Sequence, residues 1–146
     1  MKRFLVPLVL VIALAIPAQA AAGTRSYEGG VESGGTLSFE VKKKRKKKTS
    51  KVKRFEFGQV NIQCAAGPAT TSGLLTDPMK VTKKGKFGVR ATNEDGTSNL
   101  RVKGKLKQKG KKAGGTIRVF GETPLDDGTT GTACDTGKLK WAAKRT

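Results

Sequence analysis

The 146-residue sequence contains no histidine, and only two of its residues are cysteines. Without histidine the chain cannot form a Ser-His-Asp triad, an HExxH metalloprotease site or a histidine-ligated zinc or haem site. Two cysteines are too few for a four-thiolate zinc site or an iron–sulfur cluster. The composition therefore excludes many catalytic and metal-binding classes, and the length supports a single domain.

Acidic and aromatic residues are also scarce. The chain has 11 Asp and Glu against 30 Lys and Arg, a formal net charge of +19, with one Trp, one Tyr and six Phe. Such a surplus of positive charge attracts anionic polymers and membrane surfaces. Sequence-specific binding of single-stranded nucleic acid needs exposed aromatic rings. Because the phenylalanines fall mostly on the inward phase of predicted strands, we expect no sequence-specific nucleic-acid recognition.

The first twenty residues have the pattern of a secretory signal peptide. Lys2 and Arg3 precede an apolar stretch over residues 4–16, and residues 18–20 place small side chains where a signal peptidase cuts. The apolar stretch is shorter than the roughly 20 residues that span a bilayer. We therefore expect cleavage near Ala20 and a secreted or cell-envelope-associated chain without a transmembrane span. That chain keeps 28 basic and 11 acidic residues, a net charge of +17.

Export would place Cys64 and Cys134 in an oxidising compartment, where a lone pair of cysteines most often forms a disulfide. Closing a loop of about 70 residues would contribute roughly 4 kcal/mol in the chain-entropy account. A free nucleophilic thiol or a pair of metal ligands are the alternatives. Both need reduced thiols and a histidine or acidic partner.

Apolar and polar residues alternate along seven stretches of the chain, which is typical of half-buried β-strands. The inward phase slips by one residue between Phe57 and Val60, which predicts a β-bulge or strand break at Gly58-Gln59. The predicted fold is all-β: a single antiparallel β-sandwich or jelly-roll-like domain of about seven to eight short strands with one disulfide.

The predicted organisation has three parts: a signal peptide over 1–20, a flexible lead-in over 21–35 and the sandwich domain over 36–146. The lead-in is glycine-rich and would contribute at most one edge strand through Tyr27. Turn-forming residues predict a meander over 81–119. Residues 65–78 and 121–131 are predicted as long loops, and residues 42–51 as a poly-basic hairpin loop.

The residues from Cys134 to Ala143 match the pattern C-x-T-G-x-x-x-W-x-A. This ending, with the hairpin patterns near Phe87 and over 102–106, resembles a group of small secreted actinobacterial proteins of uncharacterised function. The resemblance covers most of residues 24–146. It implies a disulfide-linked β-sandwich outside the cell and supplies no catalytic residues, and the poly-lysine segment is not part of its pattern. Trp141 is predicted as a core residue, with ligand stacking as the alternative.

Seven consecutive basic residues are the most pronounced charge feature. They are Lys42, Lys43, Lys44, Arg45, Lys46, Lys47 and Lys48. Such a run repels itself and predicts a solvated loop. It is either a binding arm for anionic polymers or cell-envelope components, or a solubilising loop that binds them only incidentally. Outward residues of the meander, including Arg101, Lys103 and Lys105, would add a cationic sheet face.

Carboxylates suggest only weak sites. Asp126 and Asp127 could hold calcium, although two Asp before a Gly more often form a plain turn. Acids in this region could also act as a glycosidase pair, and Tyr27 is the only tyrosine that could serve a polysaccharide lyase. The sequence predicts no cofactor and no catalytic residues.

Three functional interpretations follow from these features. The first is a secreted, non-catalytic structural or interaction module. The alternative is a polyanion- or cell-envelope-binding protein that uses Lys42 to Lys48 and the cationic face. The third is an enzyme acting on anionic polysaccharide. The specific ligand, the strand order and the oligomeric state are left open.

Overall fold

The computed structural model describes residues 23–43 and 50–146, so the predicted signal peptide lies outside the described residues. Within these ranges the chain forms ten β-strands and a short 3-10 turn, Gln108–Gly110. The strands are Thr24–Val31 (β1), Thr36–Lys42 (β2), Lys51–Cys64 (β3), Gly67–Leu75 (β4), Met79–Lys80 (β5), Lys86–Thr92 (β6), Ser98–Lys107 (β7), Lys112–Pro124 (β8), Thr130–Asp135 (β9) and Leu139–Arg145 (β10). In the described ranges no helix is long and apolar enough to cross a membrane.

All ten strands belong to one antiparallel sheet that closes on itself. β10, β1, β2, β3, β9 and β8 follow one another in hydrogen-bonded order, and β8 pairs again with β10. β7 and β6 continue from the second edge of β8, while β4 and β5 pair with the second edge of β3. The two extensions come together where β5 contacts β6, and β4 also contacts β8. The predicted all-β antiparallel fold is confirmed, with ten strands.

An aromatic cluster fills the centre of this sheet. The Phe39 ring stacks on Tyr27 at a centroid distance of 4.7 Å. It lies 5.8 Å from Phe55, 5.7 Å from Phe87 and 5.8 Å from Trp141. Aromatic pairs in this distance range each add about 0.5–1.5 kcal/mol beyond the area they bury. Since the five rings come from β1, β2, β3, β6 and β10, the cluster joins strands that are distant in sequence.

Cys64 and Cys134 form the predicted disulfide, which connects the end of β3 to β9 across 70 residues. Gly131 packs directly on the two sulfur atoms. A Cβ atom at this position would lie 2.4 Å from the Sγ of Cys134 and 2.7 Å from the Sγ of Cys64. The disulfide therefore packs in a space that only glycine leaves open.

The predicted bulge in β3 is confirmed. The β3–β4 register shifts between Phe57 and Val60, and Gln59 adopts a φ of 53°. The backbone N–H of Gln59 donates to Ser72 Oγ at 3.0 Å. The extra residue allows both Phe57 and Val60 to face the core.

The predicted flexible lead-in over 21–35 is wrong for the described residues. β1 pairs with β10 on one edge and with β2 on the other. Tyr27 is 1% exposed, and its hydroxyl donates to the carbonyl of Gly110 at 2.7 Å. Glycine here reflects close packing, because a Cβ on Gly29 would lie only 1.9 Å from the Ala142 carbonyl oxygen.

The predicted long loop over 65–78 is also wrong, because it contains β4, and β5 begins directly after it. β4 has few apolar residues, and only Thr71 and Leu75 of this strand are buried. Its Gly73 allows the Phe57 ring to approach, since a Cβ there would lie 2.6 Å from that ring. The second predicted loop, over 121–131, is shortened at both ends by β8 and β9. The meander over 81–119 is confirmed as β6, β7 and β8.

The buried position of Tyr27 gives a stability prediction. Replacing a large buried aromatic side chain by alanine costs about 3–5 kcal/mol, so we expect Tyr27→Ala to lower the free energy of unfolding by this amount. The outward neighbour Ser26 is exposed, and Ser26→Ala should change the free energy by no more than about 0.5 kcal/mol. Urea denaturation followed by tryptophan fluorescence measures both. Equal, small effects would show that β1 is not part of the cooperative fold. If Tyr27→Ala does not fold, Tyr27→Leu serves as the graded variant.

Candidate functional site

The outward side chains of β6, β7, β8 and β10 form a surface that we call the cationic face. Side chains alternate between the two faces of each strand, so these residues point to solvent while their chain neighbours, such as Val102 and Ile117, are buried. The basic residues of the cationic face are Lys86, Arg90, Arg101, Lys103, Lys105, Lys107, Lys112, Arg118, Lys140 and Lys144. All of these are exposed except Arg118, which is half-buried. The structure thus brings the predicted Arg101, Lys103 and Lys105 together on one strand and extends the surface over three others.

Like charges lie directly opposite one another on neighbouring strands. The opposed pairs are Lys86 with Lys105, Arg90 with Arg101, Arg101 with Arg118, Lys107 with Lys112, Lys112 with Lys144, Lys42 with Lys51, and Lys51 with Lys80. Directly opposed like charges are destabilising, on a scale of about 0.2–1 kcal/mol for cross-strand pairs. Two opposite-charge pairs, Glu28 with Lys144 and Glu40 with Lys53, offset a small part of this cost.

Charge is also separated between the two ends of the sheet. The antiparallel register brings the end of β2, the start of β3, the end of β7 and the start of β8 to one end, which we call the basic end. Its turns carry Lys83 and Lys84 before β6 and Lys109 and Lys111 between β7 and β8. One acid, Asp77, lies at the same end in the connection between β4 and β5. The turns at the opposite end carry the acids Glu32, Glu94, Asp95, Asp126 and Asp127.

The predicted binding arm leaves the sheet at the basic end. Lys42 closes β2 opposite Lys51, and the backbone N–H of Lys43 donates to the carbonyl of Gly23 at 2.6 Å. Lys44, Arg45, Lys46, Lys47 and Lys48 lie outside the described residues. The arm therefore begins beside the lysines of β3 and β5, on the end of the molecule that already carries the basic turns.

A groove crosses the cationic face with lysines along its sides and small residues on its floor. Its volume is about 810 Å³, and its charged lining consists of Lys105, Lys107, Lys112, Lys140, Lys144 and one acid, Glu28. Gly114 and Ala142 are cross-strand partners that form part of the floor. Because Gly114 has no side chain, the Nζ of Lys107 reaches within 3.5 Å of the place a Cβ would occupy. The groove runs across β1, β7, β8 and β10 and is open to solvent, which suits a chain lying on the surface.

Arg118 and Asp135 form the only ion pair within residues 23–43 and 50–146. Arg118 Nε donates to Asp135 Oδ1 at 2.9 Å, and the backbone N–H of Gly137 donates to the same oxygen at 2.8 Å. The hydrogen bonds from Arg118 hold the pKa of Asp135 below its ordinary value, against the opposing effect of burial. The same contact raises the pKa of Arg118. Asp135 thus neutralises one arginine of the face.

Phe120 is an aromatic side chain on the cationic face that sequence reasoning missed. It lies on the outward phase of β8, two residues after Arg118. The guanidinium carbons of Arg101 and Arg118 each lie 5.0 Å from its ring centroid. This geometry is typical of cation–π contacts. The alternation of β8 could have revealed Phe120, because it shares the parity of Thr116 and Arg118.

Several weaker candidates prove to be structural. Asp127 Oδ1 accepts hydrogen bonds from the backbone N–H and the hydroxyl of Thr129, at 2.9 and 2.6 Å. The hydroxyl bond is the main reason why the pKa of Asp127 is lowered. Asp126 and Asp127 therefore shape a turn, and the described ranges contain no group of three or more His, Cys, Asp or Glu placed to hold a metal. Trp141 is 4% exposed and belongs to the core, as predicted. Tyr27 is buried, which removes it from the surface that a lyase would need.

Comparison with known proteins gives no assignment. No protein-family model matches the chain, and no curated protein matches it. The resemblance to small secreted actinobacterial proteins therefore stays a prediction.

The ion pair gives a prediction for the pH dependence of stability. The pKa of Asp135 is lower in the folded chain than its unfolded value of about 3.9. Its carboxylate therefore stabilises the fold above about pH 4, and this contribution is lost as the pH falls through the folded-state pKa. We expect Asp135→Asn to lower the free energy of unfolding modestly at neutral pH, because solvent screens the half-exposed pair.

Urea denaturation at several pH values measures this difference. The gap between wild type and Asp135→Asn should be constant above about pH 5 and should close in stronger acid. Asp95→Asn is the control, because within the described residues the Asp95 side chain makes no hydrogen bond or ion pair. A gap that is the same at every pH would show that the carboxylate charge is not what stabilises the pair.

Proposed function

We propose that the protein is a non-catalytic binding module for anionic polymers outside the cytoplasm. The observation that supports this most directly is the set of opposed like charges on the cationic face. Each opposed pair costs free energy. Among the described residues only Asp135 forms an ion pair with the face, and Glu28, opposite Lys144, offsets a small part of the cost. An anionic polymer lying on the face would relieve that repulsion.

An edge-protecting role accounts for only part of the charge. Charged side chains on an edge strand prevent pairing with other chains, which explains Lys86 and Arg90 on β6. β8 and β10 are paired on both edges, so Lys112 and Lys140 have no edge to protect. Interior strands that carry opposed lysines favour a binding role over a purely structural one.

The binding would depend on the charges of the polymer more than on its sequence or chemistry. Along β7, Lys107, Lys105, Lys103 and Arg101 follow every second residue, a spacing of about 6.8 Å. A polymer with one negative charge on each repeat could bind along this row of basic residues while it lies in the lysine-lined groove. Release of condensed counterions makes such affinity fall steeply with salt. The expected partners are anionic cell-envelope polymers or other extracellular polyanions.

The first prediction under this proposal concerns two lysines of the central row. Lys103→Ser with Lys105→Ser should weaken binding to heparin and to long-chain polyphosphate. The slope of the logarithm of affinity against the logarithm of salt should fall by about 1 for each lysine removed. Affinity chromatography and fluorescence titration at several salt concentrations measure the slope.

Two further variants make this experiment specific. Lys53→Ser with Arg54→Asn removes the same charge from β3, where both residues are exposed; asparagine tolerates the φ of 49° at Arg54. This control should retain the wild-type slope. Replacing Lys43, Lys44, Lys46 and Lys47 by Ser tests the arm. If only the arm variant loses binding, the arm and not the cationic face is the binding element. If all variants lose binding equally, the affinity depends on net charge alone and not on the position of the charges.

A second prediction concerns export. Expression in a secreting bacterial host should yield a chain that begins at Ala21 in the medium or the cell envelope, because the small residues before this point fit signal peptidase. N-terminal sequencing identifies the cleavage point. Ala18→Leu with Ala20→Leu should block cleavage, since both positions require small side chains. A cytoplasmic chain that keeps residue 1 would contradict the extracellular part of the proposal.

A further inference from the structure

A pocket on the cationic face collects three arginines, one from each of three neighbouring strands. Arg90 of β6, Arg101 of β7 and Arg118 of β8 are direct cross-strand partners. Since neighbouring strands lie about 4.8 Å apart, their guanidinium groups can reach one small ligand together. Lys103 and Lys138 complete the basic lining. We call this site the arginine pocket.

The shape of the arginine pocket suits a single compact group. Its volume is about 190 Å³, below the roughly 300–1,000 Å³ of typical small-molecule pockets. Gly88 lies directly opposite Lys103, and a Cβ there would lie 2.8 Å from the Val102 carbonyl oxygen, so only glycine fits beside this part of β7. The pocket is therefore large enough for one charged group, and the rest of a polymer would extend beyond it.

Two of the arginines are already held in place. The guanidinium carbons of Arg101 and Arg118 lie 5.0 Å from the ring centroid of Phe120. Asp135 accepts two hydrogen bonds from Arg118. Ordering a long side chain opposes binding, and these contacts order both guanidinium groups before a ligand arrives. A pocket of fixed arginines discriminates between anions better than a row of mobile lysines does.

We infer that the arginine pocket binds a phosphate or sulfate monoester group. This inference rests on the proposed function and names the chemical group that the polymer would present. Each guanidinium offers five donors in a rigid fork that matches such oxyanions. A tetrahedral oxyanion has three terminal oxygens to accept from several forks at once, whereas a carboxylate has two. Asp135 is a resident carboxylate that competes with the ligand for Arg118.

The test replaces arginine by lysine, which keeps the charge but removes the fork. The double variant Arg90→Lys with Arg101→Lys is titrated with inorganic phosphate, sulfate and acetate at constant ionic strength, and amide NMR shifts report the site. Wild type should bind phosphate and sulfate saturably, with shifts centred on Arg101 and Thr116, and acetate at least several-fold more weakly. The variant should bind phosphate about tenfold more weakly, the loss expected when charge-assisted bidentate hydrogen bonds are removed.

Two companion measurements separate this inference from the proposed function. The salt slope for long-chain polyphosphate should be unchanged in the Arg90→Lys, Arg101→Lys variant, because its net charge is unchanged. Asp135→Asn should bind inorganic phosphate more tightly than wild type, because it removes the competing carboxylate while Phe120 still orders the Arg118 guanidinium.

The outcomes are distinct. Equal phosphate affinity in wild type and the lysine variant, or shifts spread over the whole cationic face, would overturn the arginine pocket while polymer binding stands. If the wild-type protein does not bind polyphosphate, the proposed function is overturned. Acetate binding as tight as phosphate binding would show a general anion site and would reject the oxyanion assignment.

Discussion

The fold depends on burying one aromatic cluster around Phe39. Its ring contacts four other rings, which belong to four different strands. A flat sheet could not bring β1, β3, β6 and β10 around a single residue, so the sheet has to curve until it meets itself. Backbone hydrogen bonds then join β8 to β10 and complete the circuit. Glycines make this possible where rings meet backbone: a Cβ on Gly104 would lie 2.3 Å from the Phe87 ring and 2.8 Å from the indole of Trp141.

Closure of the sheet also determines where the basic side chains lie. When one face of every strand turns inward, each second residue must face solvent, and in a chain this rich in lysine the outward positions become cationic. The register then sets charges from neighbouring strands against each other, as with Arg90, Arg101 and Arg118. The buried core and the disulfide hold the strands together from the inside and so offset this repulsion. The surface property therefore follows from the same alternation that builds the core.

Alternation predicted the strands with strong apolar phases, the meander, the β3 bulge and the outward direction of Lys103 and Lys105. It could not predict β4, whose threonines and glycines carry little apolar signal, or β1, where glycine marks close packing instead of flexibility. The sequence also could not predict the row of Arg90, Arg101 and Arg118 or the charge separation between the two ends, because both depend on the register between strands. The outward position of Phe120 could have been predicted, since Phe120 lies two residues after Arg118 on β8 and therefore on the same face.

The charge separation has a physical consequence for binding. Potentials from separated charges orient an approaching polyion before contact. Because the turns at one end carry acids and those at the other carry mainly lysines, an anionic polymer would under the proposed function meet the basic end first, where the arm begins at Lys42. From there the row along β7 leads from Lys107 to Arg101 and the arginine pocket. The order of these elements along one strand connects general attraction at the basic end with ordered arginines further along the face.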